Sequence, residues 1–394
     1  MGRSGCRILL GAAWPGENYA GLSRFMSRQK IALFLPNLCL GGAERVMVHL
    51  ANGLAARGRA VDMVLVEAKG EFLNQLGPAV RVVDLKASRL LWAIPRLASY
   101  LRRERPVVVI SALDHANVGA IFAKWLSRSR IPVVAAIHAT RSMHAKRSRG
   151  IKESLVRCCI QACYRRADVL VCVSRAAADD LAAVTGARRD RMRVIYNPII
   201  DDRMLAMARE PAGHSWFALG APPVVLAVGR LVAVKDYSTL IRAFAVLRRH
   251  HDVRLMILGE GEDRPRLERL IAELELSGSV ALPGFDANPY ACLARAALFV
   301  LSSVSEALPT ALVEAMALGT PVVATDCKCG PKEVLQDGRF GGLVPVGDVA
   351  ALAEAMAVGL SSPRRELPAE ALLPYTKDHA VSEYCRVIEE ITHE

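Results

Sequence analysis

Short apolar runs alternate along this chain with stretches whose apolar positions recur every three or four residues. The runs at 31–36, 61–66, 80–85, 107–111, 133–138, 169–173 and 194–196 are rich in Val, Ile and Leu. Such runs predict strands buried on both faces. Amphipathic segments lie between most of them. One example is 43–56, where Val46, Leu50 and Leu54 fall at helical spacing. Asn197-Pro198 breaks the alternation, and 198–222 carries Pro211, Gly213, Gly220, Pro222 and Pro223, which reads as an irregular linker. The alternation restarts at 224–228 and continues through 253–258, 280–282, 298–302 and 321–325. Strand–helix repetition of this kind predicts parallel sheets with right-handed crossovers. The fold class is therefore α/β, with two Rossmann-like, doubly wound parallel-sheet domains facing a cleft. The divisions are a flexible N-terminal extension at 1–28, an N-terminal domain at 29–198, a linker at 199–222, a C-terminal domain at 223–376 and a last helix at 377–394.

Composition narrows the class. The 394 residues are 52% hydrophobic but only 5% aromatic, as suits buried parallel strands and two domains. No apolar run is long enough for a membrane span. The apolar stretch at 8–14, behind Arg3 and Arg7, would make a poorly formed signal peptide, so an extension is the preferred reading. The ten cysteines show no paired spacing and read as buried free thiols in a reducing compartment. Charge is uneven: residues 1–199 hold 32 Lys and Arg against 13 Asp and Glu, a net +19, and the remainder nets −7. The basic clusters are Arg102-Arg103-Glu104-Arg105, 141–152, Arg165-Arg166 and 188–193. That excess points to an anionic partner for the first half. No nucleic-acid motif accompanies it, so an anionic membrane surface is preferred to nucleic acid. A merely solvated basic surface explains the charge equally well.

Candidate chemistry centres on Glu306 and Glu314. On a single helix, eight residues apart would turn the two carboxylates about 80° from each other. They are not a close acid–base pair. The run at 298–303 reads as a strand, Pro309 suits a first helical turn, and Gly319 with Pro321 reads as a stop. Glu306 then sits in a strand-to-helix loop, with Glu314 about one turn inside the helix. A ligand lying across that helix start would be held by a carboxylate at each end. A nucleotide sugar, with hydroxyls at both ends and phosphates between, fits. Amides from Leu308 through Pro309 and Thr310 to Ala311 would face its phosphate. Arg230 and Lys235 follow the strand at 224–228, at an edge where doubly wound sheets bind ligands. Together they could neutralise a diphosphate. Gly41 and Gly42 allow close backbone approach after the first strand. Glu44 and Arg45 are left out of the site, as capping or solvating residues. Gly259-Glu260-Gly261 lacks a third glycine, which disfavours a dehydrogenase. No metal-ligand spacing occurs.

The segment Glu306 to Glu314 resembles the signature of retaining GT-B glycosyltransferases of family 4. Val228-Gly-Arg-Leu-Val-Ala-Val-Lys-Asp236, Gly41-Gly-Ala-Glu44 and the stretch from Thr320 to Glu333 resemble further motifs of that family, in its order. Two positions depart from it: Ala307-Leu308 replaces Gly and an aromatic, and Lys328-Cys329 replaces Pro-Ser. The resemblance implies that Glu314 binds ribose hydroxyls and Glu306 the donor sugar. It implies that His138, ending the run at 133–138, lies beside the transferred sugar. It also implies a last helix packed back on the N-terminal domain and a metal-independent, cofactor-free reaction. Asp114 and His115 are candidates for the acceptor side, and Lys332 for the phosphate.

The expectation is a retaining hexosyltransferase taking a nucleotide-sugar donor, a UDP-sugar by preference, to a lipid-linked or oligosaccharide acceptor. Its setting would be lipopolysaccharide or exopolysaccharide synthesis, cytoplasmic and peripheral to the inner face of the membrane. Two alternatives stay open: a nucleotide-sugar epimerase of the same architecture, and a non-catalytic module binding anionic membrane or RNA.

Overall fold

The computed structural model describes residues 29–39, 41–138 and 151–393, with backbone alone for 151–157 and 393. The extension at 1–28 and most of the basic cluster at 141–152 lie outside the described residues. The first sheet comprises β1 (Lys30–Leu35), β2 (Ala60–Leu65), β3 (Val80–Asp84), β4 (Val108–Ala112), β5 (Val133–Ile137), β6 (Val169–Cys172) and β7 (Met192–Val194). Its order is β3-β2-β1-β4-β5-β6-β7. The second comprises β8 (Val224–Val228), β9 (Arg254–Leu258), β10 (Val280–Gly284), β11 (Leu298–Leu301), β12 (Val322–Thr325) and β13 (Gly342–Val344), in the order β10-β9-β8-β11-β12-β13. Every pairing is parallel. The order reverses between β1 and β4 and again between β8 and β11. Crossovers leave in opposite directions there, which opens a crevice at the carboxyl edge of each sheet.

Helices cover both faces of each sheet, which is why the central strands are apolar throughout rather than alternating. In the first domain, α1 (Gly42–Ala56) covers one face, while α2 (Leu90–Glu104), α3 (Asp114–Ser127), α4 (Ile151–Arg165) and α5 (Arg175–Thr185) cover the other. After β7 come α6 (Asp202–Arg209), α7 (Tyr237–Arg248), α8 (Arg264–Glu273), α9 (Pro289–Leu293), α10 (Thr310–Ala317), α11 (Pro331–Val334), α12 (Val349–Ser361), α13 (Ala369–Leu372) and α14 (Lys377–His393). Helices α7, α8 and α12 pack on one face of the second sheet; α9, α10 and α11 pack on the other.

The structure differs from the sequence reading in two elements. Residues 199–222 are not wholly irregular: Asp201 caps α6 by accepting from the Met204 amide at 2.8 Å, and Met204 and Ala208 are buried. Helix α6 packs on α9 of the second domain. β13 carries two glycines in its neighbourhood and too few apolar residues to stand out; it forms because β12 offers it an edge.

The chain returns to the first domain at its end. Ala380, Val381, Tyr384, Val387 and Ile388 of α14 join the core beneath α1. The two connections between domains run together: the Ile199 and Ile200 amides donate to the Tyr375 carbonyl, and Lys377 donates to that of Ile200. Gly53 of α1 permits the docking, since a Cβ there would stand 2.4 Å from Val381 Cγ2. Gly53→Val should therefore overpack this contact and destabilise the fold by about 1–3 kcal/mol. A lower denaturation midpoint with unchanged secondary structure would show it.

Candidate active site

The carboxyl edges of the two sheets place the chemistry. Arg230 and Lys235 leave β8, and the loop carrying Glu306 leaves β11, so both flank the switch point of the second sheet. Gly229 has φ +155°, and a Cβ on Gly259 would stand 2.0 Å from its carbonyl oxygen. A Cβ on Gly261 would stand 2.2 Å from Leu231 O. The paired glycines at 259 and 261 thus let the loop after β9 lie directly against the Arg230 turn. Arg230 is exposed and meets no carboxylate among the described residues. Two loop contacts fix Lys235: Ser302 Oγ donates to its carbonyl at 2.8 Å, and the Val304 amide donates to the Val234 carbonyl at 2.9 Å.

Lys235 Nζ and Glu306 Oε1 are 2.6 Å apart, and Ser303 Oγ donates to the same carboxylate oxygen at 2.6 Å. A cation and a carboxylate therefore meet directly at the strand edge. The turn Cys327-Lys-Cys-Gly330 presses against this loop. Gly330 has φ +87°, and a Cβ there would lie 2.7 Å from Pro309 Cδ.

Pro309 is the N-cap of α10, and Thr310 opens the helix. The sequence reading placed Pro309 within the first turn and counted amides from Leu308 to Ala311. Proline has no N–H, so Pro309 shapes the entry and donates nothing. Leu308 is buried against the domain core. No side chain caps the helix, and among the described residues the Thr310 and Ala311 amides meet no protein acceptor. They remain available to an anion.

Glu314, the fifth residue of α10, is only 5% exposed. Burial raises its carboxyl above the ordinary range, while Arg45 works the other way. Arg45 Nη2 reaches Glu314 Oε1 at 3.4 Å, and Nη1 donates to Tyr290 Oη at 3.3 Å. Leaving Arg45 out of the site was therefore wrong: it crosses from the first domain to the second. One helical turn separates it from the Gly41-Gly42 loop. A Cβ on Gly41 would meet only the end of the Glu44 side chain, at 2.1 Å, which can swing aside; Gly42 faces open space.

His138 follows β5 directly. Both ring nitrogens are shielded from water and make no hydrogen bond. Asn197 stands beside the ring without good geometry. Burial pushes the imidazole down to about 4, with Asp114 opposing. The ring is neutral at physiological pH. No contact joins it to the Glu306–Lys235 pair among the described residues. Asp114 instead accepts from Tyr164 Oη at 2.7 Å. His115 is exposed, and Lys332 pairs with Asp337 at 3.7 Å.

A second cross-domain contact was absent from the sequence reading. The Glu333 carboxylate accepts from the Arg175 and Ala176 amides at 3.0 and 3.3 Å, and from Tyr196 Oη at 2.5 Å. A carboxylate on a helix start satisfies two otherwise orphaned donors and the dipole. Lys328 pairs with Asp180 at 2.6 Å, and Ser174 Oγ donates to the Ala307 carbonyl at 2.7 Å. The loop carrying Glu306 and the turn at 327–330 are thus held from both domains. Arg188, Arg189 and Arg193 pair with Asp190, Asp179 and Glu390, so the cluster at 188–193 is largely an ion-paired surface. The thiols are not all buried either; Cys158 is exposed. Among the described residues no group of three metal-ligating side chains forms.

Similarity to known proteins agrees with this geometry. The family Glycosyl transferases group 1 matches residues 215–371, and Glycosyltransferase Family 4 matches 40–203. The chain is 30% identical to the N-acetylgalactosamine-N,N'-diacetylbacillosaminyl-diphospho-undecaprenol 4-alpha-N-acetylgalactosaminyltransferase of Campylobacter jejuni, over 81% of this chain and 86% of that protein. It is also 30% identical to the lipopolysaccharide core biosynthesis glycosyltransferase LpsE of Rhizobium meliloti, over 80% and 84%. Anabaena HepE, solved with UDP and glucose, superposes with a TM-score of 0.72 at 20% identity, over 92% of this chain and 99% of that one. The chain is accordingly a member of the group 1, family 4 glycosyltransferases, built on the GT-B fold.

Proposed function

We propose that the protein moves a sugar from a UDP-sugar to a lipid-linked or saccharide acceptor during envelope or exopolysaccharide assembly, with retention of anomeric configuration and without a metal. The observation that carries this reading is the meeting of Lys235 with Glu306 at the β8/β11 switch point, beside the exposed Arg230 and the free amides of α10. The diphosphate would lie on Arg230, Lys235 and the Thr310 and Ala311 amides. Glu314 would accept hydrogen bonds from the ribose diol, and Glu306 from the sugar. As the bond from the anomeric carbon to the phosphate oxygen breaks, its electron pair goes to the phosphate. Arg230 and Lys235 stabilise that charge where it grows. The acceptor hydroxyl attacks on the same face and its proton passes to the leaving phosphate oxygen. Neutral His138 borders the acceptor side of the sugar, on the first domain.

The Campylobacter relative, named for an alpha product on a diphospho-undecaprenol acceptor, supports the acceptor class; UDP in the HepE structure supports the base. Such an acceptor would place the enzyme at the inner face of the cytoplasmic membrane. A thermal-shift panel of UDP, GDP, ADP and their sugars tests the donor. UDP at about a hundred times its Kd should add about 2.7 kcal/mol of stability. Stabilisation by GDP or ADP alone would overturn the base assignment, and stabilisation by no nucleotide would overturn the reading. An epimer formed from nucleotide sugar without acceptor would favour the epimerase.

A further inference from the structure

We infer that the outer face of α2 and α3 is a docking surface for an anionic phospholipid bilayer. Five of the eleven large hydrophobic side chains exposed among the described residues fall on these two neighbouring helices. Leu91 and Trp92 of α2 are 70% and 62% exposed; Phe122, Trp125 and Leu126 of α3 also face solvent. Phe122, Trp125 and Leu126 follow helical spacing, so they form one stripe, and the Phe122 and Trp125 rings meet edge to face at 5.2 Å. The two helices lie side by side: a Cβ on Gly119 of α3 would stand 3.2 Å from Leu90. Their inner sides fill the core over the first sheet, so the exposed residues point away from it together. Elsewhere such residues are scattered, which needs no explanation; a concentrated apolar face does.

Charge selects the partner. Arg89, Arg102, Arg105, Arg128 and Arg130 stand in or beside α2 and α3, and none meets a carboxylate among the described residues. In contrast, the arginines at 188–193 are mostly paired. Arg102, Arg105 and Arg130 line an open depression of about 710 Å³. Guanidinium groups there suit a phosphate headgroup. Trp beside a rim of Arg is the composition of an interfacial element: the rings enter the headgroup boundary while guanidinium groups stay at the phosphates. No helix among the described residues is long and apolar enough to cross a membrane. The surface therefore lies on the bilayer, with α2 and α3 flat against it. Leu91 and Trp92 sit at the start of α2, toward the carboxyl edge of the sheet where the cleft opens. A lipid-linked acceptor could then reach the cleft without leaving its leaflet. For that purpose the inference rests on the proposed acceptor class; the surface itself does not.

The test uses the full chain and needs neither donor nor acceptor. Flotation with vesicles of phosphatidylglycerol and phosphatidylcholine in equal parts should carry the protein, and pure phosphatidylcholine vesicles should not. Trp92→Ser with Trp125→Ser should lower partition about tenfold or more. Arg102→Gln and Arg130→Gln should each cost about fivefold. Brominated lipid should quench the wild-type tryptophan emission. The UDP thermal shift, read on the same variants, should be unchanged; if the tryptophan variant does not fold, the arginine variants carry the test. Unchanged partition in the folded variants would overturn the inference, as would wild-type protein that ignores both vesicles. So would a dimer in sedimentation that these substitutions dissolve, since a second copy would then cover the face. Vesicle binding through this face without any nucleotide shift would instead leave the surface standing and defeat the donor reading.

Discussion

Glu314→Ala is expected to weaken UDP binding by roughly 10- to 100-fold, measured by calorimetry. The basis is the loss of hydrogen bonds from a diol to a charged acceptor, worth about 1.5–3 kcal/mol. Stability should change little, because a buried carboxylate held by one arginine at 3.4 Å gains back little of its desolvation. Arg45, whose side chain is 38% exposed, can turn to water when its partner goes. The pH dependence carries a second signature. The free enzyme holds Glu314 above the ordinary carboxyl range through burial. Nucleotide affinity should then fall as pH drops through that raised value, and the alanine variant should lack this limb. For folding the sign is opposite. A raised carboxyl contributes stability that is full below the unfolded value of 4.5 and is lost as pH rises through the folded one. Glu314→Gln should therefore be no less stable than wild type at neutral pH. Arg45→Ala completes a cycle: it should change nucleotide affinity less than Glu314→Ala, and the double variant should match Glu314→Ala alone. Wild-type affinity in Glu314→Ala would remove the residue from the donor site.

Turnover should drop by about 10²–10³ in Arg230→Ala, and further in the double variant with Lys235→Ala. The two substitutions should differ in stability. Arg230 is exposed and meets no carboxylate among the described residues, so its removal should leave the denaturation midpoint unmoved. Lys235 neutralises Glu306, whose side chain is 12% exposed, at 2.6 Å. Among the described residues, taking Lys235 away leaves that charge with the Ser303 hydroxyl alone, and the midpoint should fall. Pairing Lys235→Ala with Glu306→Gln should restore the midpoint but not turnover. That split separates charge stabilisation of the leaving diphosphate from mere upkeep of the loop. Arg230→Lys should recover part of the rate, because it keeps the charge but loses the planar fork. Full activity in the double alanine variant would refute the leaving-group assignment.

Much of the fold was legible because buried parallel strands write themselves as unbroken apolar runs. Runs marked six strands of the first sheet and five of the six in the second, although β3 interrupts its run with Arg81 and Asp84; the run at 194–196 meets β7 only at Val194. β13 was not marked, since a three-residue edge strand depends on its neighbour more than on its own composition. Helix α6 was hidden by the prolines and glycines after it; its cap and its packing on α9 decide its state. Within the candidate site, Glu306, Glu314, Arg230 and Lys235 were legible because strand-end and helix-start positions expose such groups to a ligand. Arg45 and Glu333 were not, because each acts on a partner in the other domain.

What the residues determined unaided is local: which segments are strands, where helices begin, and which charged groups stand at their ends. A one-dimensional pattern carries periodicity, and periodicity specifies faces and termini. The three-dimensional arrangement alone decided the partners. It brought Arg45 to Glu314, and Glu333 to the start of α5, over 269 and 158 positions of chain. It also gathered the apolar side chains of α2 and α3 onto one outer face. Contacts between residues so far apart depend on how two sheets and their connections close in space, and no spacing along the chain encodes that.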